Sequence, residues 1–312
     1  MSRPNEHRPK AIMAAQPVGL AHRLAAALDV WKLYVRGVFG DPETEIRLHR
    51  QLTEILANFG KIEARRARIL DLGCGQMARQ TALFAADGAQ VTGIDVEIPT
   101  YHLNPPLFFH VWQENGFERA FKSLVRHLLF DRGYRRKLAK LYPQPVPYAR
   151  LDTRLMSASQ IAFPDETFDF IYSIWVFEHI EDVPAAVREV NRVLKPSGAA
   201  AVFIHLFPSL SGGHNLAWLA PGEHQPRYIP AWDHLLDNRY PANFYLNRLR
   251  LEDFRKIFSQ NLTVVEEDTV EEGYDLLTSE RLEKLTKKGY TRQDLLTRSV
   301  TFICRKLKRE LP

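Results

Sequence analysis

The sequence predicts an α/β fold built around a buried, mostly parallel sheet, and three stretches carry that expectation. Residues 68–95 run from a short apolar segment (Arg68, Ile69, Leu70) through Asp71 and a Gly73-Cys74-Gly75 turn. A helix-forming stretch at 78–87 follows, then a second apolar run at 90–94 that ends on Asp95. Short apolar runs joined by a helix-length connection are the pattern of parallel strands covered on both faces. A second pair of such runs lies at 168–174 and 199–204, separated by a helical stretch at 183–194. Near the end, residues 299–305 alternate in the manner of a further strand.

The turn after the first run is also the first functional signal. Glycines at 73 and 75 let the backbone turn tightly and approach a ligand closely. In a parallel sheet the ligand lies at the carboxyl ends of the strands. Asp95, at the tip of the second strand, can there accept two hydrogen bonds from a ribose diol. Gly73-x-Gly75-x-x-Ala78 with an acid some twenty residues on also fits a dinucleotide fingerprint, so a nicotinamide-dependent oxidoreductase competes at this point.

Asp71-Leu72-Gly73-Cys74-Gly75 resembles motif I of the class I S-adenosylmethionine-dependent methyltransferases, and residues 161–198 resemble that family's fourth-strand and following blocks, in the expected order. Type 11-like members and those of bacterial surface-glycan assembly share this general likeness. The resemblance implies a Rossmann-like, seven-stranded, mostly parallel sheet with helices on both faces, its last strand antiparallel. It implies S-adenosylmethionine as cofactor and S-adenosylhomocysteine as product. Carried over by motif, Asp71, Gly73 and Gly75 line the methionine side and Asp95 holds the ribose with Val96 beside it. Ser157 and Ala158 flank the adenine, and Ser173 and Ile174 border the methionine.

Composition sets wider bounds. The chain has 312 residues, 45% of them hydrophobic, with a formal net charge of +5. No apolar run reaches the length of a membrane-spanning helix, and the polar, His- and Arg-interrupted start does not read as a secretory signal. Cys74 and Cys304 read as two reduced thiols, which favours the cytoplasm. No regular metal-ligand spacing occurs, so no metal is expected.

Taken in order, residues 1–18 carry three prolines among polar residues and read as disordered. Helices are expected over 21–39 and 43–59, the second with Ile46, Leu52, Ile55 and Leu56 on one face. Residues 1–59 are thus read as tail and helical lid, and 60–312 as the methyltransferase domain. Trp31 and Tyr34 are either lid residues or ordinary packing. Residues 99–147 exceed what the family needs and read as an inserted cap. From 99 to 150 there are nine Lys and Arg against three Asp and Glu, so the chain's positive surplus is local. The basic segment 114–140 is either a solvated helix face or a platform for an anionic or lipid-linked substrate or a membrane surface. Nucleic acid is not favoured, since no binding module is recognisable.

Residues 153–163 resemble the third strand and adenine block, except that Ser157 stands where the family has an acid. Glu178-His179 opens the segment before the helix at 183–194, and His205 ends the fifth run. Residues 206–248 form a second insertion rich in Gly, Pro, His and Trp. In it Gly212-Gly213 is read as a flexible element that aims His214 inward. Trp218 and Trp232 either stack on a sugar or anchor the loop. A helix over 250–258, a strand over 262–266, a helix over 279–288 with Ser279 as N-cap, a helical turn at 292–296 and the final strand close the fold.

The expected reaction is methyl transfer to a hydroxyl, of a sugar, a glycan or another small molecule, with His179, His205 and His214 as candidate bases. An RNA methyltransferase and a cofactor-binding protein without catalysis are the other readings.

Overall fold

The computed structural model describes residues 41–307, apart from 98, 102–103, 216–217, 219–228, 240 and 243. The helix expected over 21–39, with Trp31 and Tyr34, lies outside the described residues. Seven strands form one sheet: β1 (Arg68–Leu72), β2 (Gln90–Asp95), β3 (Asp152–Leu155), β4 (Phe168–Ile174), β5 (Leu194–His205), β6 (Leu262–Glu271) and β7 (Thr297–Lys306). Their order is β3-β2-β1-β4-β5-β7-β6. β1 pairs in parallel with both β2 and β4, while β7 runs antiparallel between β5 and β6. The chain order reverses at β1, which opens a crevice at the carboxyl ends of β1, β2 and β4.

Alternation along the strands feeds two apolar layers. Leu70, Leu72, Ile171, Ala200, Val202 and Ile204 face one side, where α6 (Val183–Val193) and α7 (Leu251–Asn261) pack. Ile69, Phe170, Tyr172, Ala201 and Phe203 face the other, against α1 (Pro42–Ile55) and Phe84 of α2 (Arg79–Ala86). Asp41 caps α1 by accepting from Thr44 N, and Pro42 stands at the first helical position. The expected face of α1 is the buried one, and the helix passes through a π-turn (Leu56–Gly60) before β1. A domain boundary at residue 60 therefore cuts a packed layer. Leu52 and Leu56 share a core with Ile69 and Phe170, so this helix belongs to the sheet and is no lid.

The first insertion folds as α3 (Pro105–Asn115), α4 (Phe117–Arg126), a π-turn and α5 (Arg132–Leu141). Leu138 and Tyr142 pack on Ile46 and Leu83. The Arg126 guanidinium donates to Gln76 Oε1 at 2.8 Å and to Thr100 O at 2.9 Å, which ties the insertion to the segment after the glycine turn. The second insertion has its own core, in which Trp218, Trp232 and Leu235 pack with Leu285 of α8 (Ser279–Thr286) and Leu295 of α9 (Arg292–Leu296). Both tryptophans are anchors and have no face free for a sugar. The cap of α8 is Thr278, one residue earlier than expected, because its hydroxyl accepts from Arg281 N.

Candidate functional site

The glycine turn is shaped by its neighbours. The Gly73 and Cys74 N–H groups both donate to Ile94 O, at 2.8 and 3.0 Å. Gly73 has φ +83°, and a Cβ there would stand 2.3 Å from Val176 Cγ2. Gly75 has φ +65° with open space around it, so conformation alone demands glycine. Its N–H donates to Asp95 Oδ2 at 2.8 Å, while Asp95 Oδ1 accepts from Glu97 N at 2.8 Å. Asp95 thus braces the turn, and each oxygen keeps a lone pair for a ligand. Burial raises its pKa above the ordinary carboxylate value.

Around this turn the sheet edge encloses a cleft of about 470 Å³. Its walls are the tips of β1 and β2, the turn after β3, the segment 176–182 and Tyr245. Among the expected cofactor residues, Gly73, Asp95, Val96, Ser157 and Ala158 line it. Gly75 acts through Asp95. Asp71, Ser173 and Ile174 do not line it. Leu72 faces the cleft, so alternation turns Asp71 to the other side of β1, where Thr81 Oγ1 donates to it at 2.6 Å. The Ser173 hydroxyl is spent on Leu72 O at 2.9 Å. Ile174 packs in the opposite apolar layer. The lining also includes Met156, Gln160, Ile180, Asp182 and Tyr245, which the sequence did not single out. Tyr245 arrives from far along the chain, because Asn247 fastens its loop to Phe177 O and Ile180 O, at 2.7 and 3.0 Å.

Burial, opposed in part by the Thr81 and Tyr172 hydroxyls, pushes the Asp71 carboxyl from an ordinary 3.8 up to about 7. A raised folded-state pKa means that the folded protein holds this proton while the unfolded chain has released it. Stability is then full below about pH 4 and falls as pH rises through 7. Melting of the ligand-free protein should therefore decline between about pH 4 and 7 and level off above. Asp71→Asn should flatten that decline, by at most roughly 4 kcal/mol. Equal slopes for the two proteins in thermal melts would contradict this.

The structure brings the three expected histidines together. His179 follows β4 in a 3₁₀ turn (Phe177–His179), and its Nδ1 lies 3.0 Å from Tyr245 O. A carbonyl only accepts, so Nδ1 carries the proton and Nε2 is bare. His179 lines the cleft, and burial lowers its pKa, leaving it neutral at pH 7. His205 Nε2 lies 2.8 Å from Ser211 Oγ, which itself donates to Glu272 Oε1 at 2.6 Å. The His214 ring stands 5.1 Å from that of His179 and 4.8 Å from that of His205. Burial holds His205 well below the usual histidine range and His214 at about 3. Glu178, which the sequence marks only as opening the segment before the helix at 183–194, is 2% exposed, and burial pushes it up to about 8.

The loop bearing His214 is packed, contrary to the flexible reading. Residues 206–213 are buried, and a Cβ on Gly212 would sit 2.1 Å from Leu206 O. The glycine pair is there for close packing. Gly212→Ala should cost about 3 kcal/mol and lower Tm by roughly 6–12 °C. A melt within 2 °C of wild type would sink this reading.

A family model described as a methyltransferase domain matches residues 45–267. The chain belongs to that family. That family is the class I S-adenosylmethionine-dependent methyltransferases. The 27-O-demethylrifamycin SV methyltransferase of Amycolatopsis mediterranei is 27% identical over 168 residues, 52% of this chain and 47% of that protein. The demethylmenaquinone methyltransferase of Symbiobacterium thermophilum is 40% identical over 53 residues, 17% of this chain and 21% of that protein. The chain thus spans less than two thirds of the length of these curated relatives. Among solved structures, the PH0226 protein of Pyrococcus horikoshii is 18% identical, with 88% and 98% of the two chains covered and a TM-score of 0.44. Among the described residues, no helix is long and apolar enough to cross a membrane.

The cleft suits S-adenosylmethionine by its own construction. Its volume lies in the range of small-molecule sites. A carboxylate stands at the β2 tip, a turn rich in small residues faces it, and the glycine turn leaves room for close approach. Burial and the charges of Asp71 and Asp95 raise the Cys74 thiol well above its usual range.

Proposed function

We propose that this methyltransferase acts on a hydroxyl of a small acceptor, a sugar, a glycan or a similar molecule, with His179 as general base. The observation that carries the reading is the bare Nε2 of a neutral histidine on the cleft wall, oriented by the Tyr245 carbonyl. When bound, S-adenosylmethionine supplies an electrophilic methyl on its sulfonium. Asp95 is assigned to the ribose, and the 157–160 turn to the adenine. His179 Nε2 is placed to take the acceptor O–H proton, and the bound cofactor would give up its methyl by breaking the S–CH3 bond and leave as the neutral thioether S-adenosylhomocysteine. The Tyr245 carbonyl, already holding Nδ1–H, steadies the resulting imidazolium. The remaining contribution is alignment and exclusion of water.

Beside the histidines, Trp175 and Phe244 are 42% and 45% exposed, and Phe244 packs edge-on to His179 and His214. These rings suit the face of a sugar or an aromatic acceptor. The first insertion adds exposed Phe117, Phe121, Leu128 and Leu129, which favour an acceptor carrying an apolar chain. Its charge is partly spent internally. Arg126 holds Gln76 and Thr100, Arg135 stacks on Tyr148, and Lys137 pairs with Asp41. That weakens the RNA-platform reading. The test is label transfer from methyl-tritiated S-adenosylmethionine to a panel of phenols, sugars and polyprenyl-linked sugars. Each is paired with its O-methyl analogue. Label on the hydroxyl compound alone supports the reading, and equal label on both members of a pair overturns it.

A further inference from the structure

We propose that Glu178, His205 and His214 bind one divalent transition-metal ion in a site beside the cleft. Each offers a donor atom, and these atoms all lie within 4.8 Å of one another. Two imidazoles and one carboxylate are a donor set for zinc-like ions.

A second observation is independent of the count of donors. No side chain hydrogen-bonds to either buried oxygen of Glu178, which only the backbone N–H groups of Glu178 and His205 face, and none hydrogen-bonds to the buried His214 Nε2, 4.0 Å from Glu178 Oε1. Native structures rarely leave buried polar atoms so poorly partnered, and a bound ion is one of the few explanations. The surroundings fit as well. The Ser211 hydroxyl donates to Glu272 and so must accept from His205 Nε2–H. That tautomer leaves a lone pair on Nδ1, and the Ser211–Glu272 pair supplies the outer support common behind metal-bound imidazoles. Donor atoms bonded to zinc lie roughly 3.4 Å apart. Small side-chain rotations would close the triad onto an ion. Positions 178, 205 and 214 come from the ends of two strands and a packed loop, with no regular interval. This is why the sequence led to no expectation of a metal.

Three protein donors leave a position open, and the His214 ring adjoins His179 on the cleft wall. An acceptor hydroxyl oxygen bound there would lose its proton more readily. This role rests on the O-methylation reading, whereas ion binding itself does not.

The test uses the full chain, stripped with a chelator and then titrated with Zn²⁺ in a calorimeter and with Co²⁺ in a spectrophotometer. Expected are one equivalent of Zn²⁺, a Tm rise of roughly 5 °C, and the strong visible absorption of low-coordinate Co²⁺. Glu178→Gln and His214→Ala should each weaken Zn²⁺ by at least about 100-fold while S-adenosylhomocysteine still binds. His179→Ala should keep the ion. Wild-type uptake below a tenth of an equivalent would overturn the proposal, as would variants that bind like wild type. Retained uptake with no label transfer to any hydroxyl would sink the O-methylation reading and leave the site standing. If Glu178→Gln does not fold, the wild-type Co²⁺ spectrum decides, a faint octahedral one overturning the site.

Discussion

His179→Ala should lower the single-turnover rate of methyl transfer by about 100-fold, the lower end of what a positioned general base contributes. That corresponds to about 2.7 kcal/mol of barrier. A hydroxyl is a poor nucleophile at neutral pH, and proton removal during attack is where a protein has most to offer it. His179 stands apart from its two neighbours because it alone among them lines the cleft. Its Nδ1 is committed to Tyr245 O, so only Nε2 can take a proton. His179→Asn separates position from chemistry. An amide N–H can still meet the Tyr245 carbonyl, but asparagine is no base. Both variants should lose rate alike while S-adenosylhomocysteine affinity changes by less than threefold. Rates near wild type for either variant would remove His179 from the chemistry. A loss of cofactor binding in step with rate would make it a wall residue.

Asp95→Ala should weaken S-adenosylhomocysteine by about 2–3 kcal/mol, from loss of a charged acceptor for the ribose hydroxyls. The geometry adds a second route to the same loss. Asp95 also holds the N–H groups of Gly75 and Glu97, so its removal loosens the turn that the ligand approaches. Asp95→Asn keeps one acceptor oxygen and should fall between the two. Hydrogen exchange at Gly75 in the ligand-free protein should quicken in Asp95→Ala. Calorimetry showing unchanged affinity would reject the assignment.

The parts of this fold legible in the sequence are those specified locally. The runs at 68–72, 90–95 and 168–174 are apolar on both faces, and their interruption by Gly73 and Gly75 marks the ligand end. The amphipathic face of Pro42–Ile55 was legible for the same reason. Which way a strand residue points at its tip was not. Asp71, Ser173 and Ile174 stand in motif positions, yet alternation turns Asp71 and Ile174 away from the cleft, and Ser173 bonds to β1. Composition misled at Gly212-Gly213, where glycine reflects crowding and not mobility. It left Trp218 and Trp232 ambiguous, because the core that buries them includes residues from α8 and α9, far along the chain. Tyr245 reaches the cleft through Asn247 and the His179 ring, long-range contacts with no periodic trace.

The most direct test of the central claim is a crystal structure grown with S-adenosylhomocysteine. The expected density lies in the cleft, with both ribose hydroxyls on Asp95, the adenine against Val96 and the 157–160 turn, and the amino-acid end at Gly73 and Gly75. Density that bypasses Asp95, or a cleft that takes NADH and leaves S-adenosylhomocysteine in solution, would contradict it.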